Sequence, residues 1–207
     1  MEDMEAPETP RLIQVSETIT PGKNKFYKEF FEYLKGDITE LKADIIVNSL
    51  PPSMNPYTGV SKSIYNKCGD ELLNYLKKNY NGLIPGGIVD SPSFKLDCKE
   101  ILHVCGPEEE KLLELIYIQC LNYCYTHYYH SIIFPCISTG GKGFDEEKAC
   151  SIAINTCKEW IDKYSKYWKI KITFCCFTDK SYIEYKKYFI YFFKFFIIFN
   201  YNNFEFQ

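Results

Sequence analysis

Two short, continuous apolar runs constrain the fold of this chain more than any other feature of its sequence. They occupy residues 44–48 and 131–137. An apolar run without polar alternation is typical of a strand that is buried on both faces. A third strand is predicted over 168–176, and segments with helical periodicity follow these three strands along the chain, at 61–80, 145–164 and 179–188. This alternation predicts an α/β domain with helices on both faces of a largely parallel sheet.

The other regular segments are three further strands and one long helix, at 26–34, 87–94, 100–105 and 108–130. In an open α/β sheet, ligands bind beyond the carboxyl ends of the strands. We therefore expect a binding site at the loops that follow Asn48 and Ile137.

Charge and cysteine content narrow the class of protein. The formal net charge is −3, so there is no overall basic field to drive nonspecific nucleic-acid binding. We also expect no sequence-specific nucleic-acid partner. The ten cysteines include no CxxC pair, and the N-terminal segment is acidic and lacks the apolar core of a signal peptide. We expect an intracellular, cytoplasmic or nuclear location in which most of these cysteines act as small buried hydrophobic residues.

The chain divides into three parts by composition. Residues 1–25 are predicted to be a flexible leader, 26–188 the folded domain, and 189–207 an aromatic-rich apolar tail. The apolar stretch 188–199 is shorter than a membrane-spanning helix and is interrupted by Lys194. We expect it to pack on something or to aggregate, with a membrane-surface anchor as the lesser alternative. The expected protein is a monomer without membrane association.

A glycine-rich turn gives the strongest chemical signal. Residues 138–144 read STGGKGF and connect a buried strand to a helix with Glu146 and Glu147 in its first turn. Glycines allow the backbone to approach a ligand closely, and the N-terminus of the next helix favours an anion. A phosphate or diphosphate is the natural ligand. The alternative is a tight strand-to-helix turn without a ligand.

A second loop, residues 48–61, also leads from a buried strand into a helix. Two such loops at one edge of the sheet could hold both phosphates of a diphosphate. The alternative is that Pro51, Pro52 and Pro56 only stiffen the connection.

Taken in order, these segments resemble the macro domain family. The matching segments are 36–39 (GDIT), 43–48 (ADIIVN), 101–103 (ILH) with Gly106-Pro107, and 134–140 (FPCISTG) with Gly143-Phe144. The resemblance spans residues 26–188 and implies a three-layer α/β/α fold with a mixed, largely parallel central sheet. Within the family, residues 48–72 and 95–107 look most like the tandem macro domains of large antiviral-type mono-ADP-ribosyltransferases.

The resemblance implies that the ligand is ADP-ribose and that no further cofactor is needed. Asp37 would accept a hydrogen bond from the adenine amino group, Ile38 would help to seat the base, and Phe177 would stack on it. Phe144 would pack beside the distal ribose. The remaining implied contacts come from the two loops, largely to the diphosphate: Asn48, Gly59, Val60, Ser61, Ser138, Thr139, Gly140, Gly141, Lys142 and Gly143.

Two departures from the family pattern concern catalysis. Family members that hydrolyse ADP-ribosyl linkages usually have an asparagine and an aspartate where this chain has Pro51 and Ser61. Neither replacement can act as a carboxylate base. We therefore expect a module that binds ADP-ribose and mono-ADP-ribosylated proteins with little turnover, and whether it is an enzyme stays open. The alternatives are a weak hydrolase that uses the substrate phosphate, Asp145 or Lys62, and a degenerate macro fold that acts as a protein-interaction scaffold.

Two other groups of residues have side chains that could form a site. Cys120, Cys124 and His127 share one helix face and could bind zinc, but a fourth ligand is not evident and core packing explains the cysteines, so we predict no metal site. His103 lies in an apolar strand with no serine or carboxylate partner near it in sequence. We interpret it as a core histidine rather than a catalytic base.

Overall fold

The computed structural model of the chain describes residues 26–56 and 59–201, with side chains up to residue 191. The predicted leader, 1–25, and the end of the predicted tail, 202–207, lie outside the described residues. The strands are β1 (Phe31–Lys35), β2 (Ile45–Leu50), β3 (Ile88–Pro92), β4 (Glu100–Cys105), β5 (Ser131–Pro135) and β6 (Lys171–Cys176). The helices are α1 (Gly59–Cys68), α2 (Asp70–Asn79), α3 (Glu110–Thr126), α4 (Glu146–Tyr164) and α5 (Asp179–Tyr201), with a short 3₁₀ helix at Ile38–Glu40.

The six strands form one mixed sheet in the order β1-β6-β5-β2-β4-β3. Every neighbouring pair is parallel except β3 and β4, which are antiparallel. The five parallel strands therefore end at the same edge of the sheet. This architecture confirms the predicted α/β fold with a mixed, largely parallel sheet.

Helices cover both faces of the sheet, which explains the continuous apolar runs. On one face, α3, α4 and α5 pack on alternate strand residues such as Val47 and Phe134. On the other face, α1 and α2 pack on the intervening strand residues, such as Ile46 and Ile133. Because both sides of each central strand are buried, both sets of positions have to be apolar.

The predicted helix over residues 61–80 is two helices, α1 and α2, that meet at Gly69. Gly69 has a φ of 77°, a left-handed conformation that only glycine adopts without strain, and its N–H closes α1 on the Tyr65 carbonyl at 2.7 Å. Residues 26–30 form a turn before β1 rather than the first half of a strand, and Tyr27 and Phe30 are buried.

Helix α5 continues past the boundary that we predicted at 188. Phe189 is buried and packs on Phe31 and Tyr33 of β1, with ring centroids 6.3 and 4.6 Å apart. The start of the apolar tail is therefore continuous with the domain core. None of the helices in the described part of the chain is both long enough and apolar enough to span a membrane.

Candidate functional site

A cavity of about 500 Å³ lies at the edge where the five parallel strands end. It is open to solvent at this edge and has a size suited to a small-molecule ligand. The predicted site residues that line it are Asp37, Ile38, Gly59, Val60, Ser61, Ser138, Thr139, Gly140, Gly141, Lys142 and Phe177. The two loops identified from the sequence therefore meet at one cavity.

The lining residues follow the strand order. Asp37 follows β1, and Phe177 follows the neighbouring strand β6. The Gly36 N–H, just after β1, donates to the Cys176 carbonyl at the end of β6 at 3.0 Å, which holds these two strand ends together. The glycine-rich turn follows β5, and Gly106 follows β4. The cavity is thus a cleft with a carboxylate and an exposed aromatic ring at the β1 and β6 side and backbone-lined loops beyond them.

The glycine-rich turn provides backbone donors. Within the described residues, no group accepts a hydrogen bond from the N–H of Thr139, Gly140, Gly141 or Lys142. All four residues line the cavity. Consecutive free N–H groups of this kind form a favourable environment for an anion.

The side chains of the same turn are already engaged. Ser138 Oγ donates to the Pro107 carbonyl at 2.8 Å, and Thr139 Oγ1 donates to the Cys136 carbonyl at 2.9 Å. Ser138 also has a φ of 67°, which is uncommon for a residue other than glycine. A Cβ atom at Gly106 would lie 2.7 Å from Ser138 Oγ, so glycine is required there for the two loops to approach each other.

Two helix N-termini lie near the cleft, and they differ in availability. Gly59, Val60 and Ser61, the first residues of α1, line the cavity, and α1 has no acidic residue in its first turn. The N-terminus of α4 is capped by Asp145, whose Oδ1 accepts from the Lys148 N–H at 2.8 Å. The sequence predicted that both helix N-termini face the ligand, whereas in the structure the N-terminus of α1 is the available one and that of α4 is occupied by its own cap.

Lys142 is the only cationic side chain among the described residues that line the cavity. Its Nζ lies 3.1 Å from Glu108 Oε1, and the two side chains are 37% and 72% exposed. Glu108 belongs to the connection between β4 and α3, so this ion pair links two loops at the cavity mouth. A ligand phosphate would compete with Glu108 for Lys142.

Three predicted site residues do not line the cavity: Asn48, Gly143 and Phe144. Gly143 has a φ of 64° and closes the turn by donating to the Gly140 carbonyl at 2.9 Å. Phe144 packs on the core under α4. Asn48 is buried because β2 continues to Leu50, two residues past the predicted end of the strand.

Asn48 instead belongs to a buried polar network with His103 and Ser91. Asn48 Nδ2 donates to His103 Nδ1 at 3.1 Å, and His103 Nε2 lies 2.8 Å from Ser91 Oγ, which in turn donates to the Pro92 carbonyl at 3.0 Å. This arrangement fits a neutral ring protonated at Nε2, and burial lowers the pKa of His103 to about 3. The serine partner that the sequence did not reveal is supplied by the neighbouring strand β3.

Several lining residues were missed by the sequence reasoning, among them Ser49, Asn55, Ser63, Gly106, Cys175, Thr178 and Ser181. Only Gly106 carried a signal, because it belongs to the Gly-Pro pair that we used for the resemblance. Burial raises the pKa of Cys175 to about 12, so this thiol stays protonated and contributes an apolar surface.

The other candidates lie away from the cleft. Asp145 and Lys62, considered as possible catalytic groups, do not line it. Cys120 and Cys124 are buried in the core, whereas His127 is exposed beyond the end of α3 and stacks on Tyr123 at 3.9 Å. The described side chains contain no cluster of three or more metal-ligating residues.

The fold and the cleft define an α/β domain with a candidate ligand site, lined by backbone donors, at the carboxyl edge of its sheet. A family model described as "Macro domain" matches residues 47–153. The chain is 31% identical over 160 residues to an O-acetyl-ADP-ribose deacetylase of Salmonella newport (strain SL254). This alignment covers 72% of this chain and 88% of the relative. This protein belongs to the macro domain family.

Other relatives extend the comparison. The chain is 34% identical over 176 residues to the human ADP-ribose glycohydrolase MACROD2, a match that covers 81% of this chain and 41% of that protein. Its structure is similar to the Oceanobacillus iheyensis macrodomain with ADP (TM-score 0.74, 26% identity, 79% of this chain and 92% of the other). It is also similar to the Trypanosoma brucei macrodomain in complex with ADP-ribose, with a TM-score of 0.72 and 26% identity. This match covers 76% of this chain and 68% of the other.

Proposed function

We propose that this protein binds ADP-ribose, free and attached to proteins as a mono-ADP-ribosyl group, without efficient hydrolysis. The observation that carries the proposal is the order of groups along the cleft. A carboxylate and an exposed ring occupy one end, and free N–H donors with the α1 N-terminus come next. This order matches a base followed by a pyrophosphate.

The base end is formed by Asp37 and Phe177. Phe177 is 74% exposed, so the face of its ring is available for stacking. Asp37 Oδ1 accepts from the N–H and the Oγ1 of Thr39, both at 2.9 Å. These bonds fix the carboxylate at the rim of the cleft while Oδ2 stays available for the adenine amino group.

The lack of a general base in the cleft supports binding without efficient turnover. Asp37 is the only carboxylate among the described lining residues, and no histidine is among them. Asp37 lies beyond β1, whereas Pro51 and Ser61 lie beyond β2, and the strands β6 and β5 separate the two in the sheet. A base placed at the adenine end cannot activate water at the distal ribose.

The proposal is tested by calorimetric titration with ADP-ribose, ADP, AMP and adenosine. We expect ADP-ribose and ADP to bind more tightly than adenosine, because the free N–H groups require a pyrophosphate. Asp37→Asn should weaken ADP-ribose binding by roughly tenfold, since the amide keeps the bond to Thr39 but turns a donor toward the adenine amino group.

Asp97→Asn is the matched control, because Asp97 is a largely exposed aspartate outside the cleft. It should bind ADP-ribose as tightly as the wild type. Absence of heat with ADP-ribose at millimolar concentration would contradict the proposal and would leave the scaffold alternative.

A hydrolase is the second candidate, and the names of two relatives favour it. The Salmonella relative is named a deacetylase and the human relative a glycohydrolase. Asn55, the only amide side chain among the described lining residues, would be the residue to test. Release of ADP-ribose from a mono-ADP-ribosylated protein well above background, lost in Asn55→Ala, would establish this activity.

The ion pair at the cavity mouth leads to a further prediction. Glu108→Gln should tighten ADP-ribose binding by roughly two- to fivefold, because Lys142 is released from its competing carboxylate. Lys142→Ala should weaken binding by a similar factor. Calorimetry at low salt measures both effects.

Glu109→Gln controls for the change in net charge, because Lys142 is paired with Glu108 and not with this neighbouring glutamate. The double variant Glu108→Gln/Lys142→Ala should bind like Lys142→Ala alone. If the double variant bound ADP-ribose more tightly than Lys142→Ala, Glu108 would affect binding other than through Lys142.

Two finer proposals follow from the sequence. Within the family, residues 48–72 and 95–107 support a relationship to the tandem macro domains of large antiviral-type mono-ADP-ribosyltransferases. An intracellular location, cytoplasmic or nuclear, is supported by the cysteines, since all ten are free thiols.

A further inference from the structure

A cluster of exposed aromatic and basic residues lies at the opposite edge of the sheet from the cleft. It consists of Tyr125, Tyr128 and Tyr167 with Lys163, Lys166 and Lys169, and we call it the basic aromatic face. It surrounds the starts of β5 and β6, whereas the cleft lies beyond their ends. The two surfaces are therefore separated by the length of the strands, about 17–20 Å.

Trp168 organises this face. Its ring stacks on His130 at 4.1 Å and meets the rings of Tyr125 and Tyr128 edge to face at 5.9 and 5.6 Å. Trp168 Nε1 donates to the Tyr129 carbonyl at 3.0 Å, which fixes the ring in place. The rings around Trp168 thus form one continuous, supported surface, and Tyr167 precedes Trp168 in the chain.

The outer rings of this surface are unusually exposed. Tyr128 and Tyr167 are 74% and 75% exposed. Tyr128 has a φ of 60°, a conformation that bulky residues rarely adopt. Large aromatic rings held on the surface are typical of a binding site rather than of packing.

The charge of this face is opposite to that of the whole protein. Lys163, Lys166 and Lys169 are exposed and form no ion pair with any residue that the structure describes. The adjoining carboxylates of Asp44 and Asp162 are already paired with Lys99 and Lys158. Neither 125–131 nor 163–171 contains an acidic residue, in a chain with a net charge of −3.

We propose that the basic aromatic face binds single-stranded nucleic acid without sequence preference. Unpaired bases would stack on the exposed tyrosine rings, and the backbone phosphates would contact the lysines. A duplex fits less well because its base faces are hidden. An acidic peptide would satisfy the lysines but leave the ring faces without a partner.

The test is fluorescence anisotropy of the full chain with a labelled oligo-rU of about 15 nucleotides, a length within one single-strand site. We expect a Kd on the order of 10–100 µM at physiological salt, which weakens as salt increases. Lys166→Glu/Lys169→Glu should weaken binding by at least about tenfold. Tyr128→Ala/Tyr167→Ala should weaken it similarly, and the corresponding double Phe variant should retain it.

Lys77→Glu/Lys78→Glu on α2 is the matched control, since it changes the net charge equally on an exposed surface away from the face. It should bind the oligonucleotide like the wild type. Gly140→Glu, in the cleft, should also bind normally, so this inference can fail or hold independently of the proposed function. No binding at low salt, equal loss in the Lys77/Lys78 variant, loss in Gly140→Glu, or equal binding of poly-glutamate would overturn the proposal.

Discussion

Replacing Gly140 by glutamate is expected to abolish ADP-ribose binding while the domain stays folded. An ideal Cβ atom at Gly140 has no neighbour within 4 Å, and the φ of this residue lies outside the left-handed region, so a side chain is tolerated there. Gly140 lines the cleft among the free N–H groups of the turn. A carboxylate introduced there would occupy the anion site and repel the pyrophosphate. We expect a loss of at least about 100-fold, as for like charges brought together at an interface.

Gly140→Ala is the matched control for this prediction. It adds only a methyl group in open space, so binding should change by no more than a few fold. Calorimetry measures both variants, and the thermal midpoint reports the fold. Wild-type affinity in Gly140→Glu, or an equal loss in Gly140→Ala, would place the ligand elsewhere.

A loss of stability at mildly acidic pH is the second large effect that we expect, and it originates at His103. Burial lowers the pKa of this residue from its ordinary value of 6.5 to about 3. Below pH 6.5 the unfolded chain binds a proton that the folded chain does not bind. The free energy of unfolding should therefore fall as the pH decreases from about 6.5 towards 3.

The expected slope is about 1.4 kcal/mol per pH unit well below the unfolded pKa, which amounts to about 2 kcal/mol between about pH 7 and pH 5. Urea denaturation between about pH 7 and pH 5 measures this slope. Most carboxylates titrate below this pH range and contribute little to it. His103→Gln should lower the stability at neutral pH, because the buried network is disturbed, and should remove most of the slope.

His127→Gln provides the comparison, because His127 is exposed. It should keep the full dependence of the wild type. If His103→Gln keeps the same slope as the wild type, the pH dependence must come from other groups.

Local patterns were sufficient to predict most of the secondary structure and the class of fold. The two continuous apolar runs became β2 and β5, because burial on both faces leaves no room for polar alternation, and the strand predicted over 168–176 became β6. The glycine-rich turn was also identified from local sequence, since its glycines allow the close approach of backbone to ligand that the cleft requires. Each of these features depends on a few consecutive residues.

The errors occurred where a residue's environment depends on distant segments. Asn48 was expected at the ligand, but strand alternation places it beneath α1 and α2, while the next residue, Ser49, lines the cleft. β2 runs two residues past its predicted end, so Asn48 lies within the sheet rather than in the loop, and successive side chains of the strand point to opposite faces. The break at Gly69 was missed because periodicity continues across it, with Ile64 and Leu72 packing on the same face of the sheet.

Apolar periodicity and the positions of glycine determined the types of the elements and the turn that could hold an anion, because these depend on interactions between near neighbours. The strand order, the single edge at which both loops meet, the pairing of His103 with Asn48 and Ser91, and the joining of 125–131 with 163–171 arose only on folding. The reason is that each joins residues far apart in the chain, and contact between them depends on how strands pair and helices pack rather than on any local preference.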